Sequence, residues 1–390
     1  MIPFYLLLII YCFVTMFIHF KFHTITWYEW LGVCLIGFAV TGVFHAIAVH
    51  GMTADNEIWS GQITRAVHYP RWIEEYQVAI YKTVTHTRSD GSTYTTSEFS
   101  HYETRHRTHP EHWQAETSIT RPKEIDKKFF NEIVQNFGDL TTEKPHKSGF
   151  DSGDPNIYVA YNKTGYVYPI TDIRSFKNKI KASPSVFSFS KVPEGTPVYE
   201  YPYSHWLVSA RLIGTASTVI DITEFDRLNS RLGPTKRVNV IIVGFNSLDS
   251  QLGQWQEAKW IGGKKNDLVI CYGGTTNANW AYCFGWTEQE IVKRNIETIF
   301  LKFPVNDDIL LKIENEIRKN YVIKDWSKFD YIRVEPPRWA FMILVIIFIG
   351  TQGGLWAFAH YNDFTDEDRP IISARERERL MKKYGYRRMR

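Results

Sequence analysis

Three apolar stretches constrain this chain more than any motif it contains: Ile2 to Phe20, Leu31 to Val49 and Trp339 to Phe358. At about 1.5 Å of rise per residue, each approaches or crosses a hydrocarbon core about 30 Å thick, so three membrane-spanning helices are expected. The first stretch can also be read as a signal peptide. Against that, no basic region precedes it and no small-residue cleavage site comes before Lys21. The second stretch contains Gly32, Gly37, Gly42 and His45, a spacing of small residues that suits close packing against another helix. The short KFHTITWYEW loop makes the first stretch the nearest partner, giving a transmembrane hairpin over residues 1–50. Trp27, Tyr28 and Trp30 in that loop, with Trp339 and Trp356 in the third stretch, fit interfacial anchors.

Charge sets the orientation. The tail after His360 carries eight basic residues from Arg375 to Arg390, and the short loop carries Lys21, whereas Asp55 and Glu57 follow the second stretch. The positive-inside rule places loop and tail in the cytoplasm and the polar region between the spans outside it, with Arg333 and Arg338 as opposing terms. The tail, residues 361–390, reads either as a basic helix on anionic lipid or as a solvated charged end.

The polar region divides in two by pattern. Residues 51–203 are strand-rich: YQVAIYKTVTHT and STYTTSEFSHYE flank Ser89-Asp90-Gly91, a turn sequence between paired strands. One helix interrupts them, IDKKFFNEIVQNFG, with Phe129, Ile133, Val134 and Phe137 on one face and a stop at Gly138. The passage KVPEGTPVYEYPYSHW marks the boundary. Residues 204–335 then alternate strand and helix, which implies a mixed sheet covered by helices, and the third span occupies 336–360. An α+β fold with three transmembrane helices around a large extracytoplasmic domain is the expected class. With a net charge of +4 and 15% aromatic residues, the chain is neither disordered nor basic enough to indicate nucleic acid.

The stretch WIGGKKNDLVICYGG tests one nucleotide-binding possibility. A phosphate loop needs a strand, then glycines and Lys-Ser/Thr, then a helix. Here a helix precedes and a β-branched run follows, so Gly262 and Gly263 read as a helix C-cap and turn.

The segment RVNVIIVGFNSLDSQLGQWQEAKWIGGKKNDLVICYGG, within residues 235–302, resembles the TPM domain: a strand, a helix, a tryptophan-glycine turn, then an "ND" strand ending in glycine. More broadly, NEIWSGQITR, HYETRHRTHPEHW, SFKNKIKASPSVF and LGPTKRVNVIIV resemble pieces of an uncharacterised membrane protein family of large tailed bacteriophages. That resemblance implies no established activity. Members often carry a cysteine-rich stretch where this chain has HTRSDGSTYTTSEFSHYE, so it implies no metal or disulfide role there.

Four constellations carry candidate chemistry. His101, His106, His109 and His112, with His86 nearby, supply imidazoles suited to zinc or copper. Pro110 opposes a continuous helix through them, and Arg105 and Arg107 would repel a cation, so a polar surface segment is the competing reading. If DLVICY and NWAYCF pair, Cys271 and Cys283 sit opposite each other, as a disulfide or as two small core residues. Cys12 and Cys34 fall in the spans as packing residues. Some TPM-domain proteins are phosphatases or divalent-cation binders, which makes Asp249 and Asp267, with Lys264 and Lys265, a candidate site at one end of the sheet. The plainer reading has Asp249 opening its helix and Asp267 capping a turn. Asn162-Lys163-Thr164 fits the glycosylation pattern and equally an ordinary turn.

No catalytic constellation is complete. The expected function is therefore that of a phage-encoded membrane protein presenting an interaction domain at the host envelope, with the lipid bilayer and a host or phage envelope protein as partners. The rival is a membrane-anchored, divalent-metal-dependent phosphoester hydrolase.

Overall fold

The structure, a computed structural model, describes residues 2–22, 27–144, 155–187 and 189–362. The expected basic tail, Arg375 to Arg390, lies outside the described residues. Helices α1 (Ile2–Phe22) and α2 (Trp27–Thr53) lead into strands β1 (Ala54–Tyr69), β2 (Trp72–Thr87), β3 (Thr93–His109), β4 (His112–Thr117) and β5 (Lys123–Ile125). Helix α3 (Lys127–Phe137), strands β6 (Leu140–Glu143), β7 (Ile157–Tyr161) and β8 (Pro169–Lys177), and the single turn α4 (Lys179–Ala182) follow. After the short β9 (Ser204–His205) and β10 (Val208–Ser209) come β11 (Leu212–Gly214), α5 (Ala216–Val219), α6 (Ile222–Lys236) and β12 (Asn239–Phe245). The last elements are α7 (Gln251–Trp260), β13 (Asp267–Gly274), β14 (Ala278–Gly285), α8 (Ile291–Lys302), α9 (Asp307–Asn320) and α10 (Arg338–Asn362).

The chain forms two compact units, one built on α1, α2 and α10 and the other on Asp55–Ile180 and Pro184–Tyr331. In the first, Trp27–Thr53 and Trp339–Phe358 are long and apolar enough to cross a membrane. Leu8, Cys12, Cys34, Leu344 and Phe348 form its core. Gly37 lets α10 approach α2: a side chain there would run into Gln352, whose amide donates to Val33 O at 3.0 Å.

The second unit is α+β, with two larger sheets. In the first, β5-β4-β1-β7-β6 lie in that order and β8 also pairs with β1. Helix α3 covers this sheet with Phe130, Ile133 and Phe137, whereas Phe129 and Val134 of the expected face are only partly buried. Asp126 caps α3 by accepting from Phe129 N, and Gly138, at φ +105°, ends it. The second sheet runs β11-β12-β13-β14, with the first three strands parallel and β14 antiparallel. Alternating residues of its strands point to opposite faces. Val240, Ile242, Leu268 and Ile270 pack with α6, α8 and α9, while Ile241, Val243, Val269 and Cys271 pack with α7.

That division makes the connectivity unusual. Both β11-to-β12 and β12-to-β13 step the same way across the sheet, yet their helices α6 and α7 lie on opposite faces. One of the two crossovers is therefore left-handed, against the strong right-handed rule.

Candidate functional site

In the second unit the ribbon of β2 and β3 is largely exposed. Strands β1 and β4 pair up to Tyr69↔His112, and β2 and β3 resume at Trp72↔His109, so one antiparallel ladder continues past Pro70 and Pro110. Proline lacks the N–H that a ladder uses, which accounts for the interruption at these positions. Beyond it β2 runs for 16 residues, about 50 Å at about 3.3 Å per residue, paired with β3 alone among the described residues. The turn Arg88–Ser92 closes it, with Asp90 Oδ1 accepting from Ser92 N at 2.9 Å.

The predicted histidine cluster lies on this ladder, which does not bring its members together on one point. Along a strand, His101 and His112 are separated by about 36 Å of backbone, and alternation sends His106 to the face opposite His101 and His109. Each ring is engaged locally. His109 Nε2 meets Glu74 Oε2 at 2.8 Å and stacks on Trp72, His106 faces Glu75 at 3.6 Å, His112 stacks on Tyr69, and His101 contacts Ser100 at 3.1 Å. Among the described residues no group of three or more His, Cys, Asp or Glu is arranged to hold a metal ion.

The ribbon's two faces differ in chemistry. One carries cross-strand charges, with Glu74 opposite Arg107, Val78 opposite Glu103 and Lys82 opposite Glu98, and Arg107 lies over the Tyr76 ring. The other has Glu75 and His106 near its base and no further charge toward the turn: Gln77 pairs with Thr104, Ala79 with Tyr102, Tyr81 with Phe99. Three hydroxyl pairs then follow, Thr83–Ser97, Thr85–Thr95 and Thr87–Thr93. The most exposed large apolar residues of the ribbon all belong to this second face: Ile73 at 56%, Tyr81 at 60%, Phe99 at 50% and Tyr102 at 62% exposed.

The predicted acidic site divides. Asp267 begins β13 and pairs in register with Asn239 at the start of β12, whereas Asp249 follows the far end of β12. Parallel strands thus place the two carboxylates at opposite ends of the sheet, about 20 Å or more apart, and they share no site. Exposed Asp249 accepts from Gln251 N at 2.9 Å at the start of α7. Asp267 is fully buried and accepts from Asn239 Nδ2 at 2.8 Å, Lys264 N at 2.7 Å and the Tyr201 hydroxyl at 2.9 Å. Lys265 sits in the same turn, and behind the bonds from Ser327 its charge helps to hold the Asp325 carboxyl low.

Around Asp267 runs a chain of buried polar contacts. Lys264 Nζ pairs with Asp55, which also accepts from Asn178 Nδ2 at 2.8 Å. Arg211, fully buried, donates to Ser60, to Asn239 Oδ1 at 3.0 Å and to Asp226 Oδ1 at 2.8 Å. Burial pushes the Asp267 carboxyl above its ordinary value despite the bonds from Asn239, Lys264 and Tyr201. It would do the same to Asp55, but the bonds from Lys264 and Asn178 outweigh it and hold that carboxyl low. Burial also raises the Tyr201 hydroxyl and lowers the Arg211 guanidinium. This network joins the start of β1 to the strand N-termini. Ligands of open α/β sheets bind at the opposite, C-terminal ends of the strands.

At those C-terminal ends the chain leaves β11 and β12 toward opposite faces, the arrangement that opens a ligand crevice in α/β sheets. Here it is filled. Thr215 Oγ1 donates to Gly274 O at 2.8 Å, and a side chain at Gly214 would meet the Tyr199 hydroxyl. Tyr199 is held by Gln256, which accepts from its N–H at 2.8 Å and donates to its carbonyl at 3.0 Å. The tyrosine-rich passage expected to be a boundary is thus a strap over α7. A hollow of about 660 Å³ lies elsewhere, between Thr117–Lys123 and Arg174, but that arginine is committed to Asp172 and Ile119 O.

The cysteines do not meet as predicted. Cys283 pairs with Ile270 and Cys271 with Tyr282, so a one-residue offset sends the thiols to opposite faces of the sheet, and both are free and buried. Asn162 and Thr164 form a local turn, bonding Tyr166 O at 2.7 Å and Asn136 O at 2.6 Å. Fold and site together define an α+β protein with an apolar helical unit and an exposed β-ribbon. No protein family, curated protein or solved structure matches the chain.

Proposed function

We propose that this chain is a three-span membrane protein that holds its α+β unit outside the cytoplasm and uses it to bind an envelope component, without catalysis. Helices α1, α2 and α10 are the spans, α1 being helical over 21 residues of apolar sequence. The resemblance to membrane proteins of large tailed phages makes the setting the cytoplasmic membrane of an infected bacterium. The observation that carries the binding reading is the β2–β3 ribbon, which is long, paired with no third strand among the described residues, and aromatic on its exposed face. Exposed aromatic patches of this kind mark interaction surfaces. The hydrolase alternative needs Asp249 and Asp267 at one metal, and they lie at opposite ends of the sheet.

Reporter fusions after Gly51, within the Arg88–Ser92 turn and after Arg390 test the topology. The first two should read outside the cytoplasm and the third inside. A cytoplasmic signal from the turn overturns the reading. Turnover of a phosphoester by the purified chain, lost in Asp249→Asn, would replace it with the hydrolase.

A further inference from the structure

We infer that the uncharged face of the β2–β3 ribbon is a docking surface for a neutral polysaccharide chain. This deepens the binding reading above and rests on it. Three observations select the ligand. First, from Gln77 to Thr87 and across to Thr93–Thr104, this face carries no charge, while the other face of the same two strands is dense with acids and bases. Charge complementarity therefore excludes nucleic acid, anionic headgroups and acidic glycans, each of which would call for cations on the contact face.

Second, the face offers two kinds of contact in sequence along one line. Tyr81 and Phe99 meet edge to face with centroids 6.1 Å apart, and Phe99 and Tyr102 lie 5.0 Å apart. Such rings present apolar surface for the C–H faces of sugar rings, and tyrosine adds a hydroxyl at the rim. Toward the turn, the threonine and serine pairs repeat every second residue, about 7 Å, in two rows about 5 Å apart. A hydroxyl both donates and accepts, as sugar hydroxyls do, so each row can satisfy a sugar edge without a fixed polarity.

Third, the shape fits a thread better than a globular partner. The uncharged stretch is a strip about 36 Å long and about 10 Å wide. A linear chain laid along the ribbon fills the patch and gains by repeating the same weak contact along its length.

The test uses the full chain in lipid nanodiscs, since a glycoside detergent would compete for the site. Chitohexaose, cellohexaose and maltohexaose are titrated by calorimetry, with light scattering run in parallel. At least one oligosaccharide should bind, with affinity unchanged between about 50 and about 500 mM salt, because no charge takes part. The triple variant Tyr81→Ala, Phe99→Ala, Tyr102→Ala should weaken binding about tenfold or more, and Thr85→Val with Thr95→Val several-fold. The opposite-face pair Lys82→Ala, Glu98→Ala should bind as the unaltered chain does. All these side chains are exposed, and far-ultraviolet circular dichroism confirms that each variant folds. Failure of all three sugars to bind, or equal binding by the triple variant, overturns the proposal, as does a dimer that the triple variant dissolves, which would make the face an interface between two copies. Its failure is distinct from that of the binding reading: a reporter in the Arg88–Ser92 turn that reads cytoplasmic removes both, whereas correct topology without sugar binding removes only the polysaccharide.

Discussion

Cys271 and Cys283 lie on neighbouring strands one residue out of register, and each thiol is buried in a different core on either side of the sheet. Burial raises both thiols far above their ordinary range, so neither is a ready thiolate. The native chain should resist iodoacetamide at both positions and take up label at both after denaturation in the absence of reductant. A crosslinked peptide joining them in a nonreducing digest would refute the register.

What the sequence made legible here was local, and what it hid was register. Gly262 and Gly263 take φ values of +77° and +82° after α7, as the turn chemistry of WIGGKKND demands, and Asp90-Gly91 closes the ribbon as predicted. Periodicity likewise places α3. Strand pairing depends on distant residues, so neither the cysteine offset nor the separation of Asp249 from Asp267 can be read from spacing. Within residues 204–236, Gly233 and Pro234 interrupt the helical pattern that α6 nevertheless adopts. Gly233 is required because a side chain there would strike the backbone of Ser60. The ribbon's two faces were present in the sequence as alternation, but only its pairing across Tyr81↔Phe99 separates charged from uncharged residues.

Within the helical unit, Gln352 on α10 and Gly37 on α2 form one close contact. Gly37→Ile should drive the helices apart, while Gln352→Leu should cost only about 1 kcal/mol, the usual worth of such a bond between spans of the kind proposed above. Cysteine crosslinking between α2 and α10 in membranes reads the difference. Equal crosslinking in Gly37→Ile and the unaltered chain would rule out this packing.

Glu314 on α9 is gripped by two arginines, Arg231 of α6 at 2.6 Å and Arg318 at 2.7 Å. Burial alone would raise its carboxyl, but both guanidinium groups outweigh it and hold the carboxyl below its ordinary 4.5. A depressed folded value contributes stability above the unfolded value that is lost as pH falls through the folded one. Glu314→Gln should therefore cost about 1–3 kcal/mol at neutral pH and less as the medium is acidified below 4.5. Urea midpoints measured from neutral to acid pH check this. A penalty independent of pH would deny the ion pairs their role.

The buried network around Asp267 makes the sharpest prediction, because the carboxyls of Asp55 and Asp267 are shifted in opposite directions. Asp55 is held below its ordinary 3.8, so it stabilises the fold at neutral pH and ceases to do so as pH falls through its depressed folded value. Asp267 is raised above 3.8, so its ionised form costs stability at neutral pH, and acidification through the raised value toward 3.8 relieves that cost. Asp55→Asn should thus be most damaging at neutral pH, whereas the penalty of Asp267→Asn should grow as pH is lowered toward 3.8, since the unaltered chain gains there and the variant does not. Asp267→Ala strands the Lys264 N–H, the Asn239 amide and the Tyr201 hydroxyl together, a loss of about 3–5 kcal/mol. Asp249→Ala removes one exposed bond at a helix start and should cost about 0.5–1 kcal/mol. Denaturation midpoints of the four variants decide the matter. If Asp249→Ala were as costly as Asp267→Ala, or the two asparagine variants shared one pH trend, the assignment of a buried hub to Asp267 would fail.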